Sequence, residues 1–147
     1  MGIKIITDSA CDLTRDYIKN NNIGLLSLIL NLNGQAIKDD LGETLSYKDF
    51  YNKMREGATP TTSQINAHEF EEEFIKYIKN GDSIIYISLS SSLSGTFNSA
   101  NIAKNNLMNE YPNANIYLVD SLSVSVGQGL LVAKACEMRD SGKGAEE

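Results

Sequence analysis

A chain of 147 residues, 41% hydrophobic and 22% charged, is sized for one ordinary folded unit able to bury a core. A formal net charge of -6 and a pI near 4.8 exclude a basic nucleic-acid-binding surface, because phosphate recognition needs clustered Lys and Arg. The opening MGIKIITDSA lacks the basic segment and apolar core of a signal peptide, and no apolar run approaches the roughly 18 residues of a membrane span, so the expectation is a cytoplasmic protein without stable membrane insertion.

In chain order, the apolar run IKIIT (3–7) reads as a strand buried on both faces, closed by the turn DSACD. A helix follows from about Thr14 to Asn21. The segment IGLLSLILNL (23–32) is long for a single strand, and Asn33-Gly34 predicts a hairpin turn into a short return strand, a β excursion at the sheet edge. SYKDFYNKMREG carries a capping Ser46 and helical spacing of Tyr47, Phe50, Tyr51 and Met54. The loop ATPTTSQ then leads into a helix whose start, Asn66 with Glu69, has the capping-box pattern. SIIYISL predicts a buried strand, SGTFNSANIAKNNLMNE a long helix, NIYLVD a further strand, and SVGQGLLVAKACEMRD a closing helix. Strands alternating with helices of crossover length predict a three-layer α/β/α domain with a mostly parallel sheet. Cys11 and Cys136 match no CxxC or zinc spacing and read as reduced thiols.

In a parallel sheet the residues just after each strand gather on one edge. Here those residues are alike: Asp8-Ser9, then Ser88 to Ser94, then Asp120-Ser121. A strand order of 2-1-3-4 opens a crevice between the first two of these turns, lined by hydroxyls and amides rather than cations. In SLSGT, Ser94 is placed to cap the helix, and Gly95 lets a ligand approach first-turn amides whose partial positive charge favours an anion. The serine-rich turn therefore reads as a helix cap, an anion cradle or a nucleophile. A hydrolase has little to build on, since no G-x-S-x-G elbow occurs and the only histidine, His68, falls in the first turn of an acidic helix. There is no G-x-x-x-x-G-K-[ST] loop, and Gly127 and Gly129 lie within a helix, where they suit close packing. TPTTSQ offers a second donor-rich loop, Thr61 to Gln64, ahead of a helix. Asp8 is expected to hold its turn by accepting amide hydrogen bonds, and the scattered carboxylates lack the density of a metal site.

Four stretches taken together, IITDSACDLT, TPTTSQ, SLSSSLSGTFNSA and VDSLSVSVGQGLLV, resemble the DegV family, in an order that covers nearly the whole chain. The resemblance implies a bacterial fatty-acid-binding protein without a cofactor, whose ligand is a long-chain acid such as palmitate or oleate. It implies that Thr62 and Ser94 contact the carboxylate, with Ser63 and the Gly95 amide nearby and Asp8, Ser9 and Ser121 as supporting residues. It further implies that residues 1–147 are an N-terminal DegV-like domain, that a C-terminal α/β domain of the family is absent from this chain, and that a partner could be the ATP-binding subunit of a fatty acid kinase. In that scheme the chain is not itself an enzyme. The competing reading is a serine-dependent hydrolase or a phosphate-ester-binding protein using the Ser94 turn.

Overall fold

The computed structural model describes residues 2–147. Its core is a parallel sheet of four strands, β1 (Ile3–Asp8), β2 (Gly24–Leu26), β6 (Ser83–Ser88) and β7 (Ile116–Asp120), in the order β2-β1-β6-β7. In this order the crossovers leave β1 and β6 in opposite directions. Because side chains alternate across a strand, Ile6, Ile84 and Tyr86 face one side and Ile5 and Ile87 the other. The first side is covered by α3 (Ala67–Lys79) and α4 (Thr96–Glu110) through Phe70, Phe74, Ala100, Ala103 and Leu107. The second is covered by α1 (Arg15–Asn20) and α5 (Val126–Asp140) through Ile18, Val132 and Cys136. Three layers result, as expected for strands buried on both faces.

Helix starts follow the sequence signals. Thr14 accepts from the Tyr17 amide, and Ser46 from the Asp49 amide at the start of α2 (Tyr47–Arg55). Asn66 and Glu69 complete a reciprocal capping box on α3. Close approach of α5 depends on Gly129, where an added Cβ would lie 2.6 Å from the Cys11 carbonyl oxygen. Cys11 and Cys136 are buried free thiols.

Two expectations need correction. The stretch from Ile23 to Leu32, long for a single strand, does not lead into an excursion at the edge of the main sheet. It breaks at Ser27-Leu28 into β2, which stays in the parallel sheet, and β3 (Ile29–Leu32), which leaves it. Nor is ATPTTSQ a loop throughout: Thr61–Ser63 forms β5. Together β3, β4 (Gln35–Lys38) and β5 make a separate antiparallel sheet in the order β4-β3-β5. The β3–β4 hairpin turns at Asn33 and Gly34, both with positive φ (51° and 79°), the geometry that favours Asn-Gly. A single-sequence reading misses β5 because a three-residue strand has too few positions to display alternation.

Candidate functional site

The turn after β6 is held residue by residue. The Leu89 amide donates to Asp8 Oδ2 (3.0 Å), the Ser90 amide to the Ser123 carbonyl (2.8 Å) and the Ser91 amide to Asp120 Oδ1 (3.1 Å). The Ser92 amide donates to Ser90 Oγ and the Leu93 amide to the Ser90 carbonyl. Five consecutive amides thus have partners within the protein. These amides shape the turn and are not free for a ligand. What the turn presents is its end, Ser94 and Gly95.

Helix α4 begins at Thr96, with Gly95 in the cap position and Ser94 one residue before it, so Ser94 is not the cap residue proper. Its Oγ nevertheless accepts from the Thr96 amide (3.2 Å) and pairs with Thr96 Oγ1 (2.9 Å). Gly95 has no side chain to engage the amides of the next turn, and Gly95 itself is exposed. Ser94 is half-buried and touches a hydroxyl and an amide, with no imidazole or carboxylate among its hydrogen-bond partners. His68 instead faces Glu72 on α3, at 3.5 Å.

Beneath the turn lies a buried polar network. Asp8 Oδ2 accepts from Tyr86 Oη (2.8 Å) and the Leu89 amide, while Oδ1 accepts from the Ala10 amide (3.2 Å) and Gln128 Nε2 (3.0 Å). Gln128 Nε2 also donates to Thr7 Oγ1, which passes a hydrogen bond on to the Ile87 carbonyl. Burial pushes the Asp8 carboxyl above its usual range, and these hydrogen bonds, that of Gln128 foremost, partly offset it. Burial likewise drives the Tyr86 phenol well above 10, so it remains a donor. Sequence reasoning missed Tyr86 and Gln128. The available signal was a polar group inside an apolar run, Tyr86 within IIYI and Gln128 within VGQGLLV, which marks a buried partner rather than a surface position.

The second segment approaches the first through Gln64. This residue follows β5, donates from Nε2 to Ser99 Oγ on α4 (3.1 Å), and lies so close to Gly95 that a Cβ there would meet Gln64 Oε1 at 2.1 Å. Within β5 the faces differ. Ser63 Oγ accepts from Asn31 Nδ2 (2.9 Å), whereas Thr62, one residue earlier, sits opposite Leu30 and lines a cavity under α2. The structure therefore brings the TTSQ and SGT segments together, with Thr62 and Ser63 on opposite faces of their strand.

The remaining expected residues have structural partners. Ser9 is buried, accepts from the Leu28 amide (3.1 Å) and donates to Asp39, which fastens the small sheet to the end of β1. Burial raises the Asp39 carboxyl above its usual range, and this hydrogen bond from Ser9 works against that rise. Ser121 closes its own turn, donating to the Ser123 carbonyl and accepting from the Ser123 amide. The Asp120 carboxyl, tied to Ser91, is held below its usual range. Among the described residues no group of three or more His, Cys, Asp or Glu could hold a metal ion, and no helix is long and apolar enough to cross a membrane.

An open parallel sheet whose crossovers diverge at a hydroxyl-bearing edge defines an α/β domain of the kind that takes small ligands at a topological switch point. A family model described as an uncharacterised protein of the DegV family matches residues 2–147, and the chain belongs to that family. It is 46% identical over 143 residues to a DegV domain-containing protein of Clostridium perfringens, covering 97% of this chain and 49% of that one. Its fold is similar to a stearic acid-binding protein of Eubacterium ventriosum (TM-score 0.90, 28% identity, 99% of this chain and 50% of the other). It is also similar to the fatty acid kinase (Fak) B3 protein of Streptococcus pneumoniae loaded with linoleic acid (TM-score 0.80, 26% identity, 99% and 51%). The chain thus spans about half the length of the curated relatives it matches.

Proposed function

We infer that this chain binds a long-chain fatty acid, with Thr62 and Ser94 donating hydrogen bonds to the carboxylate and the Gly95 amide beside them. The observation that carries this reading is the contact of Gln64 with Gly95, which joins the TTSQ strand to the start of α4 at the carboxyl edge of the sheet. The relatives crystallised with stearic and linoleic acid supply the ligand class. Neutral donors are sufficient chemically, because each buried methylene contributes about 0.8 kcal/mol and the hydroxyls need only orient the head group. In this role the protein is a carrier and not an enzyme. The absence of any base among the partners of Ser94 argues against the hydrolase reading.

The likeness to the Fak B3 protein supports a further step, presentation of the bound carboxylate to a separate ATP-binding kinase subunit in the cytoplasm. We propose that residues 1–147 act as the N-terminal domain of such a carrier and that the other half of the relatives' length closes over the ligand. The exposed Leu122, Val126 and Leu130 beside the crevice would suit such a cover.

The double variant Thr62→Ala, Ser94→Ala tests the head-group assignment. Two hydrogen bonds to a charged group are worth about 1.5–3 kcal/mol each, so stearate affinity by titration calorimetry should fall about a hundredfold or more with the circular dichroism unchanged. Unchanged affinity removes both residues from the site.

A further inference from the structure

The second face of the parallel sheet is only partly covered. Register pairs Tyr117 with Ile85 and Val119 with Ile87, so Tyr117 and Val119 stand on the side occupied by α1 and α5. Helix α5 lies across β1 and β6, whereas β7 is packed by α4 on the opposite side. Val119 is consequently 40% exposed, and Leu131 on the flank of α5 is 43% exposed. Between them runs a groove of about 510 Å³, with Ile85, Ile87 and Tyr117 on its floor and Met138 on its wall. Strands of a parallel sheet are normally buried on both faces, so β7 lacks half of its cover.

The chain itself enters this groove. Helix α5 ends at Asp140, the backbone reverses at Gly142 (φ 86°), and residues 144–147 lie along the groove. Their hydrogen bonds are those of a helix start. The Gly144 amide donates to Glu147 Oε2 (2.8 Å), the reach-back half of a capping box with glycine at the cap position, and the Glu147 amide donates to the Gly144 carbonyl (3.2 Å). Glu146 and Glu147 then fall in a first turn, where carboxylates are favoured. Both are tied to the groove: Glu146 accepts from Tyr117 Oη (3.3 Å) and Glu147 from Lys143 Nζ (2.7 Å). The other charges lining it are all cations, Lys104, Lys134 and Arg139, in a chain of net charge -6. Lys134 and Arg139 each hold one carboxylate of α5, Glu137 and Asp140.

We propose that this groove is the docking site of an acidic amphipathic helix that begins at Gly144 and continues past Glu147, completing the second helical layer over β7. The proposal rests on the reading above, that residues 1–147 are one half of a longer carrier, and deepens it by naming the connection between the halves. From Tyr117 to Asp120 the strand advances about 10 Å, at about 3.3 Å per residue, a distance that a helix spans in about seven residues. A helix of about two turns therefore carries the chain from the foot of β7 to the carboxyl edge of the sheet, where Ser94 and Gly95 stand. Ala145 already lines the groove. The apolar side of the helix therefore takes the positions three, four and seven residues after Ala145, with carboxylates flanking it toward the lysines.

Thiol accessibility tests the proposal, since Cys11 and Cys136 are buried and add little background. Val119→Cys is introduced into the 147-residue chain and into the longer protein carrying the residues that follow Glu147, and its reaction with a water-soluble aromatic disulfide is timed. Ile102→Cys, at an exposed position of α4, is the control, and thermal unfolding verifies that each variant folds. Both new thiols should react freely in the 147-residue chain. In the longer protein the Val119→Cys thiol should react about tenfold more slowly or less, with that of Ile102→Cys unchanged. Adding Glu147→Ala, which removes the reach-back cap, should speed the protected reaction about fivefold. Equal rates for Val119→Cys in the two proteins overturn the docked helix and leave the carrier reading in place. Protection in the 147-residue chain that grows with its concentration assigns the groove to a second copy and overturns the proposal as well. Protection in the longer protein that is indifferent to Glu147→Ala overturns a helix starting at Gly144. A native protein whose mass equals that of the 147 residues alone overturns both the proposal and the reading of the chain as one half of a carrier.

Discussion

Gln64 and Gly95 are packed so closely that no side chain fits between them: a Cβ on residue 95 would stand 2.1 Å from Gln64 Oε1 and 3.2 Å from Nε2. The backbone at Gly95 has φ of -72°, which any residue adopts, so the glycine is required by proximity and not by conformation. Because the obstructing atoms end a flexible side chain, Gly95→Ala should displace Gln64 and break its hydrogen bond to Ser99. The expected stability cost is about 1 kcal/mol, one hydrogen bond, read by urea unfolding. Fatty acid affinity should fall further, about tenfold or more, since the methyl occupies the approach to the first-turn amides. Equal losses in stability and affinity would show that the glycine serves the fold alone.

Asp8 accepts from four donors, so Asp8→Asn turns at least one buried donor against another. The change should cost about 2–3 kcal/mol and loosen the turn from Leu89 to Leu93. The pH dependence has a definite sign. With the folded-state value raised by burial, the ionisable group adds stability that is fully present below its ordinary 3.8 and is lost as the pH rises through the raised value. Asparagine does not titrate, so the stability difference between wild type and variant should narrow across that window and be level above it. A difference that widens with pH would place the carboxyl below its ordinary range.

Ser9 joins the two sheets through Leu28 and Asp39. Ser9→Ala should cost about 1–3 kcal/mol by leaving the Leu28 amide without its acceptor. Hydrogen exchange should quicken in β3 and β5 while β6 and α4 stay protected. Uniform loss of protection would mean that the small sheet has no independent mobility.

Gly129 allows α5 to meet the Cys11 carbonyl, a backbone atom that cannot swing aside. Gly129→Ala should cost about 1–3 kcal/mol through overpacking and pull Gln128 away from Asp8. Gly144→Ala, with nothing closer than 3.8 Å, is the control and should change the midpoint of unfolding negligibly. A neutral Gly129→Ala would mean that α5 is free to shift outward.

The amino-acid sequence by itself determined the mostly parallel sheet and its two helical layers. Those features follow from apolar runs and caps such as Ser46 and the Asn66–Glu69 box, whose physics is local. It also marked Thr61 to Gln64 and the turn ending at Ser94 as two hydroxyl-rich segments, each just ahead of a helix. Only the tertiary structure decided that Thr61–Ser63 is a strand, that Ser63 turns away to Asn31, and that the amides from Leu89 to Leu93 are already used by partners as distant in sequence as Asp8 and Asp120. Tyr86, Gln128 and the Gln64–Gly95 contact belong to the same class. Each depends on groups tens of residues apart being brought within about 3 Å, and no periodicity along the chain encodes which polar side chain will find which partner once the sheet has closed.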